Sequence, residues 1–262
     1  MIHIMKLKEQ YFDCIKNGTK EYEIRLNDEK RKNIKKDDFI EFQKEPYLED
    51  RFIVKVDDLL YFDNFHELLN YININLLAPS FVSKEKLYSD LEEFYPIEKQ
   101  NKYGVVAIKL RKNIIINNSN INNISLNNSV FNILKDSYIS FNEWFNKLRL
   151  NNDRVFYTES NEEIKSILIL KINEEDSQQF LEKGNILKIR AFLVNDTRKG
   201  IGTTYLKLID DIAFNNNIDY IYLTIKKNNN KLIRFMEKND YKKYSNYNDE
   251  FVYYKDLNNI IK

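Results

Sequence analysis

The sequence is poor in the residues that most often build metal sites, hydrolytic triads or disulfide frameworks. It has one cysteine, Cys14, among 262 residues. That excludes an intramolecular disulfide network and a metal site made of several thiolates. Two histidines, His3 and His66, leave little scope for a multi-histidine metal centre, and neither has a visible partner along the chain. Glycine (5) and proline (3) are scarce, which weakens both as turn markers. Net charge is nearly absent: 41 Lys plus Arg against 40 Asp plus Glu give +1. A globally basic nucleic-acid binder is therefore excluded, and any basic patch has to be local. No apolar run approaches the ~20 residues needed to cross a bilayer. The first residues, Met1 to Lys6, lack the charged start, long apolar stretch and small-residue cleavage site of a secretion signal. The expectation is a cytoplasmic protein with no membrane and no metal partner.

What is present suffices for packed cores: 43% hydrophobic residues and 14% aromatics. At roughly 100–200 residues per domain, the length allows one large domain or two small ones. The clearest composition break is Asn113 to Asn128, uncharged and rich in Asn and Ser. It reads as a linker between residues 1–112 and 129–262. An irregular insertion within a single domain would have the same composition.

The first segment reads as mixed α and β. Lys8 to Asn17 is a short amphipathic helix closed by Gly18. Cys14, within it, reads as a small buried side chain. Lys20 to Leu26 alternates, with Tyr22, Ile24 and Leu26 on one face and Glu21, Glu23 and Arg25 on the other. Phe39–Phe42, Phe52–Val56 and Tyr103–Leu110 read as strands, Phe65–Leu77 and Lys84–Tyr95 as helices. Many short strands with few helices suit a small barrel.

The second segment has another order. A helix over Ser140–Leu150 contains Trp144, which reads as core. Two strands, Arg154–Thr158 and Ile164–Lys171, flank the turn Glu159 to Glu163. Then come the strand Ile186–Val194, helix Thr203–Asn216, strand Tyr220–Ile225, helix Asn229–Lys238 and strand Phe251–Lys255. Strand–helix alternation after a hairpin is α/β order.

The sharpest motif is Thr197-Arg198-Lys199-Gly200-Ile201-Gly202-Thr203, between a strand and a helix. Two glycines let backbone N–H groups approach an anion, the helix start adds partial positive charge, and Arg198 and Lys199 add full charges. That combination suits a pyrophosphate, although an ordinary turn before a helix carries similar residues. The phosphate-loop and dinucleotide-binding glycine signatures are both absent.

With Leu187–Val194 before it, and Asp219–Ile225 and Asn229–Tyr241 after it, this motif resembles the GCN5-related N-acetyltransferase (GNAT) superfamily over about residues 129–257. The resemblance implies acetyl-CoA as cofactor and acyl transfer to an amine. It implies that the strand ending in Phe192, Leu193 and Val194 offers backbone groups to the pantetheine arm. Arg198, Lys199, Gly200, Ile201, Gly202 and Thr203 would then hold the pyrophosphate, with Asn229 near the cofactor. Two departures stand out. The first position of the family's Arg/Gln-x-x-Gly-x-Gly/Ala pattern falls on Thr197, and the family's usual general-acid Tyr is Met236, which cannot give a proton to a thiolate. No Glu lies on the strand before the loop, where many members keep a base; Lys188 and Arg190 are there instead. The catalytic residues therefore stay unassigned.

A second resemblance covers nearly all of residues 1–112. Met5–Phe12, Ile15–Asp28, Lys30–Phe42 and Lys102–Ile108, with their Gly-x-Lys-x-x-Glu-x-Arg core, are similar to the ASCH domain, a PUA-like β-barrel. Asp37 stands where a Gly usually precedes the turn Asp. Asp tolerates a left-handed backbone better than most residues. The resemblance implies RNA or a modified nucleoside as partner, with Lys20, Glu23 and Arg25 as binding residues. The run Lys30, Arg31, Lys32, Lys35 and Lys36 could meet phosphates, or be a solvated charged face. Tyr22 and Tyr47 are aromatic rings that could stack on bases if exposed. Amidohydrolase-type members draw a nucleophile from Lys-x-x-Thr; here Glu23 takes the Thr position, and a carboxylate does not replace a hydroxyl directly.

The combined expectation is an α+β, PUA-like barrel with helices, joined to an α/β, GNAT-type mixed sheet with flanking helices. Its function would be acetyl-CoA-dependent N-acetyl transfer with RNA or a nucleoside bound by the barrel. The alternative is a non-catalytic RNA-binding protein whose second domain only senses acetyl-CoA.

Overall fold

Period-two alternation builds the sheet of the first unit, Met1–Asn118. The structure, a computed structural model, describes residues 1–81, 83–173, 182–195 and 199–258. The strands of this unit are β1 (Ile2–Leu7), β2 (Tyr22–Leu26), β3 (Phe39–Lys44), β4 (Arg51–Phe62) and β5 (Val105–Asn120). Its helices are α1 (Glu9–Lys16), α2 (Phe65–Tyr71), α3 (Ile74–Leu77), α4 (Lys84–Phe94) and α5 (Ile97–Tyr103). The strand order is β1-β3-β4-β5-β2, with β1 parallel to β3 and the remaining pairs antiparallel. Along β5, Val106, Ile108 and Leu110 join one core with Phe12 and Ile15 of α1. Val105 and Ala107 join another under α2 and α4. Register shifts at Val56 bend β4, as an extra unpaired residue does in any ladder.

The stretch 113–128 departs from the linker reading. β5 does not stop at Leu110 but runs to Asn120, pairing Ile115, Ile116 and Asn117 with Val54, Ile53 and Phe52. The unit boundary, Asn118/Ser119, falls inside that strand. The Asn-rich composition masked an apolar set, Ile114, Ile116, Ile121 and Ile124, all of which are buried. Other elements differ in extent. The expected Phe65–Leu77 helix breaks at Ile72 into α2 and α3, with Asn73 capping α3 by accepting from Asn75 N. Asp37 adopts φ 71, the left-handed turn geometry anticipated for it.

The second unit, Ser119–Lys262, begins with two short 3-10 turns and then α6 (Asn132–Ser137) and α7 (Phe141–Leu150). After them come β6 (Arg154–Ser160), β7 (Glu163–Ile172), β8 (Ile186–Val194), α8 (Ile201–Asn215), β9 (Tyr220–Lys226), α9 (Asn230–Glu237), β10 (Lys242–Tyr247) and β11 (Glu250–Asp256). The strand order is β6-β7-β8-β9-β11-β10. Asn161 and Glu162, both at positive φ, make the two-residue turn between β6 and β7. Phe141, Phe145 and Leu148, spaced by one helical turn, lay α7 against Val155, Ile167 and Ile169.

We expect the amides of Ile115, Ile116 and Asn117 to be protected from hydrogen exchange like those of Val106 and Ile108. Rapid exchange throughout 113–120 would refute a paired strand there.

Candidate functional site

The second unit opens where β8 and β9 part. Among the described residues these parallel strands pair at three positions, Ile186–Tyr220, Leu187–Ile221 and Lys188–Tyr222. Immediately beyond, Arg190 is an extra residue on β8: Leu170 pairs with Ile189 but Ile169 with Ala191. Such a bulge increases the local twist and re-aims the strand. A cleft of about 1250 Å³ lies here, lined by Lys188–Leu193 of β8 and Leu223–Lys226 of β9, with Asn229, Trp144 and Glu250 among its other walls. The edge of β8 turned away from β7 therefore borders a cavity instead of another strand.

At the far end of β8, Gly200 caps α8 in the left-handed region, φ 76, and a Cβ built there meets nothing within 4 Å. The helix begins at Ile201, two residues earlier than expected, so Ile201, Gly202 and Thr203 form its first turn, where N–H groups lack intrahelical partners. Lys199 is exposed beside them. The two glycines have different roles. A Cβ on Gly202 would stand 3.1 Å from the Phe235 ring, so Gly202 is small because α9 packs against it. Thr197 and Arg198 lie outside the described residues. The Lys199–Thr203 segment is not part of the cleft lining.

Phe192 is half-buried, 5.9 Å from both Tyr205 and Phe235. Leu193 and Val194 continue the strand to its end. Asn229 lines the cleft, and its side-chain oxygen caps α9 by accepting from Leu232 N at 3.2 Å. Met236 is fully buried and absent from the lining, so this position is a core position here. Among the nearby hydroxyls, Thr204 donates to Gly200 O at 2.9 Å. Tyr205, buried, contacts Ser166 Oγ at 2.8 Å and donates to Phe156 O at 3.3 Å.

Sequence reasoning missed two polar residues on the cleft wall. The Tyr138 hydroxyl donates to Glu250 Oε1. Burial, and then Glu250, push the Tyr138 phenol up. Lys226 sits 4.4 Å from the centre of the Tyr138 ring and donates to Ser137 O and Asp249. Tyr138 and Glu250 are 112 residues apart, and no spacing rule joins them. Trp144, expected in the core, is half-buried and lines the cleft.

In the first unit the expected binding residues form one compact set. Lys20 is buried and donates to Leu77 O at 2.5 Å; Glu23, also buried, lies 3.4 Å from it. Arg25 reaches Glu23 at 2.9 Å and donates to Tyr95 Oη at 3.0 Å. Burial lowers the Lys20 pKa against the pull of Glu23, whereas Glu23 raises that of Arg25. The charged set on this strand is thus largely buried, with one carboxylate serving two cations. The following basic run is exposed at Lys30, Lys32, Lys35 and Lys36, with Arg31 paired to Asp28 and Lys32 to Glu29. Tyr47 is 84% exposed and Tyr22 packs on the α2–α4 core. Cys14 is half-buried. His3 contacts Asp38 at 2.9 Å. Among the described residues, no cluster of three or more His, Cys, Asp or Glu is arranged to hold a metal ion, and no helix is long and apolar enough to cross a membrane.

Residues 5–114 match the family model of the ASCH domain, and residues 121–241 match that of the acetyltransferase (GNAT) family. The chain thus joins an ASCH domain to a GNAT-family acetyltransferase domain. Among solved structures, the hypothetical protein PH0355 is 36% identical over 42% of this chain and 98% of its own, with a TM-score of 0.38. Protein PF0455 from Pyrococcus furiosus is 33% identical over 42% of this chain and 96% of its own, TM-score 0.36. The PaiA N-acetyltransferase from Thermoplasma acidophilum, in complex with coenzyme A, is 18% identical over 48% of this chain and 79% of its own, TM-score 0.37. No curated protein matches the chain.

Removing the shared carboxylate isolates one buried and one partly buried cation. Glu23→Gln should destabilise the first unit by about 3–5 kcal/mol. Thermal denaturation checks this; a loss under about 1 kcal/mol would contradict the buried ion set.

Proposed function

We propose that the protein is an acetyl-CoA-dependent N-acetyltransferase whose ASCH domain binds RNA or a nucleoside. The observation that carries the transferase reading is the parting of β8 and β9 beside an open helix start. Gly200 leaves free space where a side chain would stand, and the first-turn amides of α8 with Lys199 suit a pyrophosphate. The bulged edge of β8, through Phe192, Leu193 and Val194, suits the amide-bearing arm of the cofactor. Acetyl-CoA supplies an activated acetyl thioester.

The chain's own residues then have separable tasks. Main-chain N–H groups along the β8 edge orient a carbonyl. Trp144 and Phe141 in the lining add apolar surface that limits water. With Met236 buried and unable to donate, proton handling falls to the Tyr138–Glu250 pair, whose carboxylate oxygen can accept a proton from an incoming amine. A second reading, a cofactor sensor without turnover, is favoured by Met236 alone.

For the ASCH domain, the exposed Lys30, Lys32, Lys35 and Lys36 suit phosphates, and the exposed ring of Tyr47 suits stacking. Lys20, Glu23 and Arg25 hold the strand beneath, with Arg25 the most open of the three.

Acetyl-CoA at a hundredfold excess over its dissociation constant should stabilise the second unit by about 2.7 kcal/mol. Gly200→Asp should remove that gain, since it adds a side chain and a negative charge at the cradle. Glu250→Gln should keep the gain while slowing release of free CoA with amine acceptors by about 10²-fold or more. Calorimetry showing no cofactor binding by well-folded protein would refute both readings. Binding with no CoA release, with any amine tried, would leave the sensor.

A further inference from the structure

Two walls of the cleft are tied to a residue that does not line it. Asp153 lies between α7 and β6, and its side chain is 1% exposed. Its Oδ2 accepts from Arg190 Nη1 at 2.5 Å, and its Oδ1 lies 3.4 Å from Lys171 Nζ. Arg190 is 10% exposed and is the extra residue of the β8 bulge. Through its backbone, Asp153 donates to Leu148 O in the last turn of α7, the helix that brings Trp144 to the lining. One buried residue therefore joins the β8 wall to the α7 wall.

The bulge decides which way the side chains beyond it face. Side chains alternate along a strand, and one extra residue shifts the alternation by one. In a regular strand Lys188, Arg190 and Phe192 would share a face. Past Arg190, however, Ala191 and Leu193 join the cluster of Phe141 and Phe145 of α7. Phe192 turns to the other face, toward Tyr205 of α8 and Phe235 of α9. The main-chain groups of Ala191–Val194 turn with these side chains, along the edge that β9 leaves unpaired among the described residues. A charge-assisted bond, roughly twice as strong as a neutral one, holds Arg190 at the pivot.

Resting on the transferase reading above, we propose that Asp153 is a positioning residue for the β8 edge. It is outside the lining, so it acts through Arg190, by holding the bulge that turns the main-chain N–H groups of Ala191–Val194 toward the cleft. The cradle at Gly200–Thr203 lies beyond the end of β8 and is fixed by other contacts, Phe235 against Gly202 and Tyr205 against Ser166. Loss of Asp153 should therefore divide cofactor recognition in two. The pyrophosphate end stays, and the thioester end loosens.

Amide hydrogen exchange of the full chain, with and without saturating acetyl-CoA, reads both ends at once. In the wild type, acetyl-CoA should slow exchange at Ala191–Val194 and at Ile201–Thr203. In Asp153→Asn it should still slow exchange at Ile201–Thr203, while the slowing at Ala191–Val194 falls at least tenfold. Asp153→Val with Arg190→Met replaces the pair by apolar side chains of similar combined size, and should show the same split if the single variant folds poorly. Arg190→Lys keeps a cation for Asp153 and should retain more of the slowing than either. Wild-type slowing at both ends in a folded variant would overturn the proposal. Equal loss at both ends would overturn it too, since that is the mark of a merely structural residue. No slowing anywhere in the wild type would fail the transferase reading instead. The positioning role then rests on exchange without cofactor, which in Asp153→Asn should quicken at least tenfold at Ile189–Leu193 and stay unchanged at Ile201–Thr203. Unchanged exchange at Ile189–Leu193 would overturn that role as well.

Discussion

Asp153 is the point on which the second unit turns. Its side chain is 1% exposed and accepts Arg190 Nη1 at 2.5 Å, with Lys171 at 3.4 Å. Its backbone is engaged too: Asp153 N donates to Leu148 O, and its carbonyl accepts from Ile121 N. One residue thus ties the end of α7, the turn at Ile121, the start of β6 and the bulge of β8. A buried carboxylate without its cations costs about 3–5 kcal/mol, so the bulged Arg190 is held where the ion pair puts it. The opening between β8 and β9 begins next to it, since the last paired position, Lys188, is two residues before Arg190. A charge buried in the body of the unit therefore decides where the cleft begins.

The other end of β8 is held by rings. Phe192 meets Tyr205 of α8 and Phe235 of α9, each at 5.9 Å, and Gly202 lets the Phe235 ring approach the first turn of α8. Tyr205 passes the constraint on through Ser166 and Thr158 to β7 and β6. The helix start that presents Gly200 and Lys199 is thereby fixed to the strand whose edge borders the cleft. Aromatic contacts of this kind add about 0.5–1.5 kcal/mol beyond the area they bury, and here they also set an angle.

Regular alternation made much of the architecture legible. β8 runs Ile186–Val194 as its apolar pattern implied, and α7 follows from the spacing of Phe141, Phe145 and Leu148. The Asn-rich stretch misled because asparagine says turn, while the isoleucines between carry a strand and then anchor the following turns. Gly-x-Gly marked the loop before α8, but not that Gly200 is open and Gly202 packed; that distinction depends on Phe235, 33 positions away in sequence and next to it in space. Tyr138 and Glu250 were illegible for the same reason. Met236 was legible as a departure, yet only the structure shows its side chain buried in the core and off the cleft lining.

Burial also separates two charge clusters that look alike in sequence. Glu23 and Arg25 sit at alternate positions of β2 with Lys20 just before it, and Lys188 and Arg190 sit at alternate positions of β8. The first set is enclosed, and Glu23 compensates both cations within it. A ligand competing for them would have to break a desolvated pair, so their main consequence is a fixed β2. The second set borders a cavity, with Asp153 buried behind Arg190. The same residue types thus fix a strand in one unit and line a cavity in the other, and burial, not spacing along the chain, makes the difference.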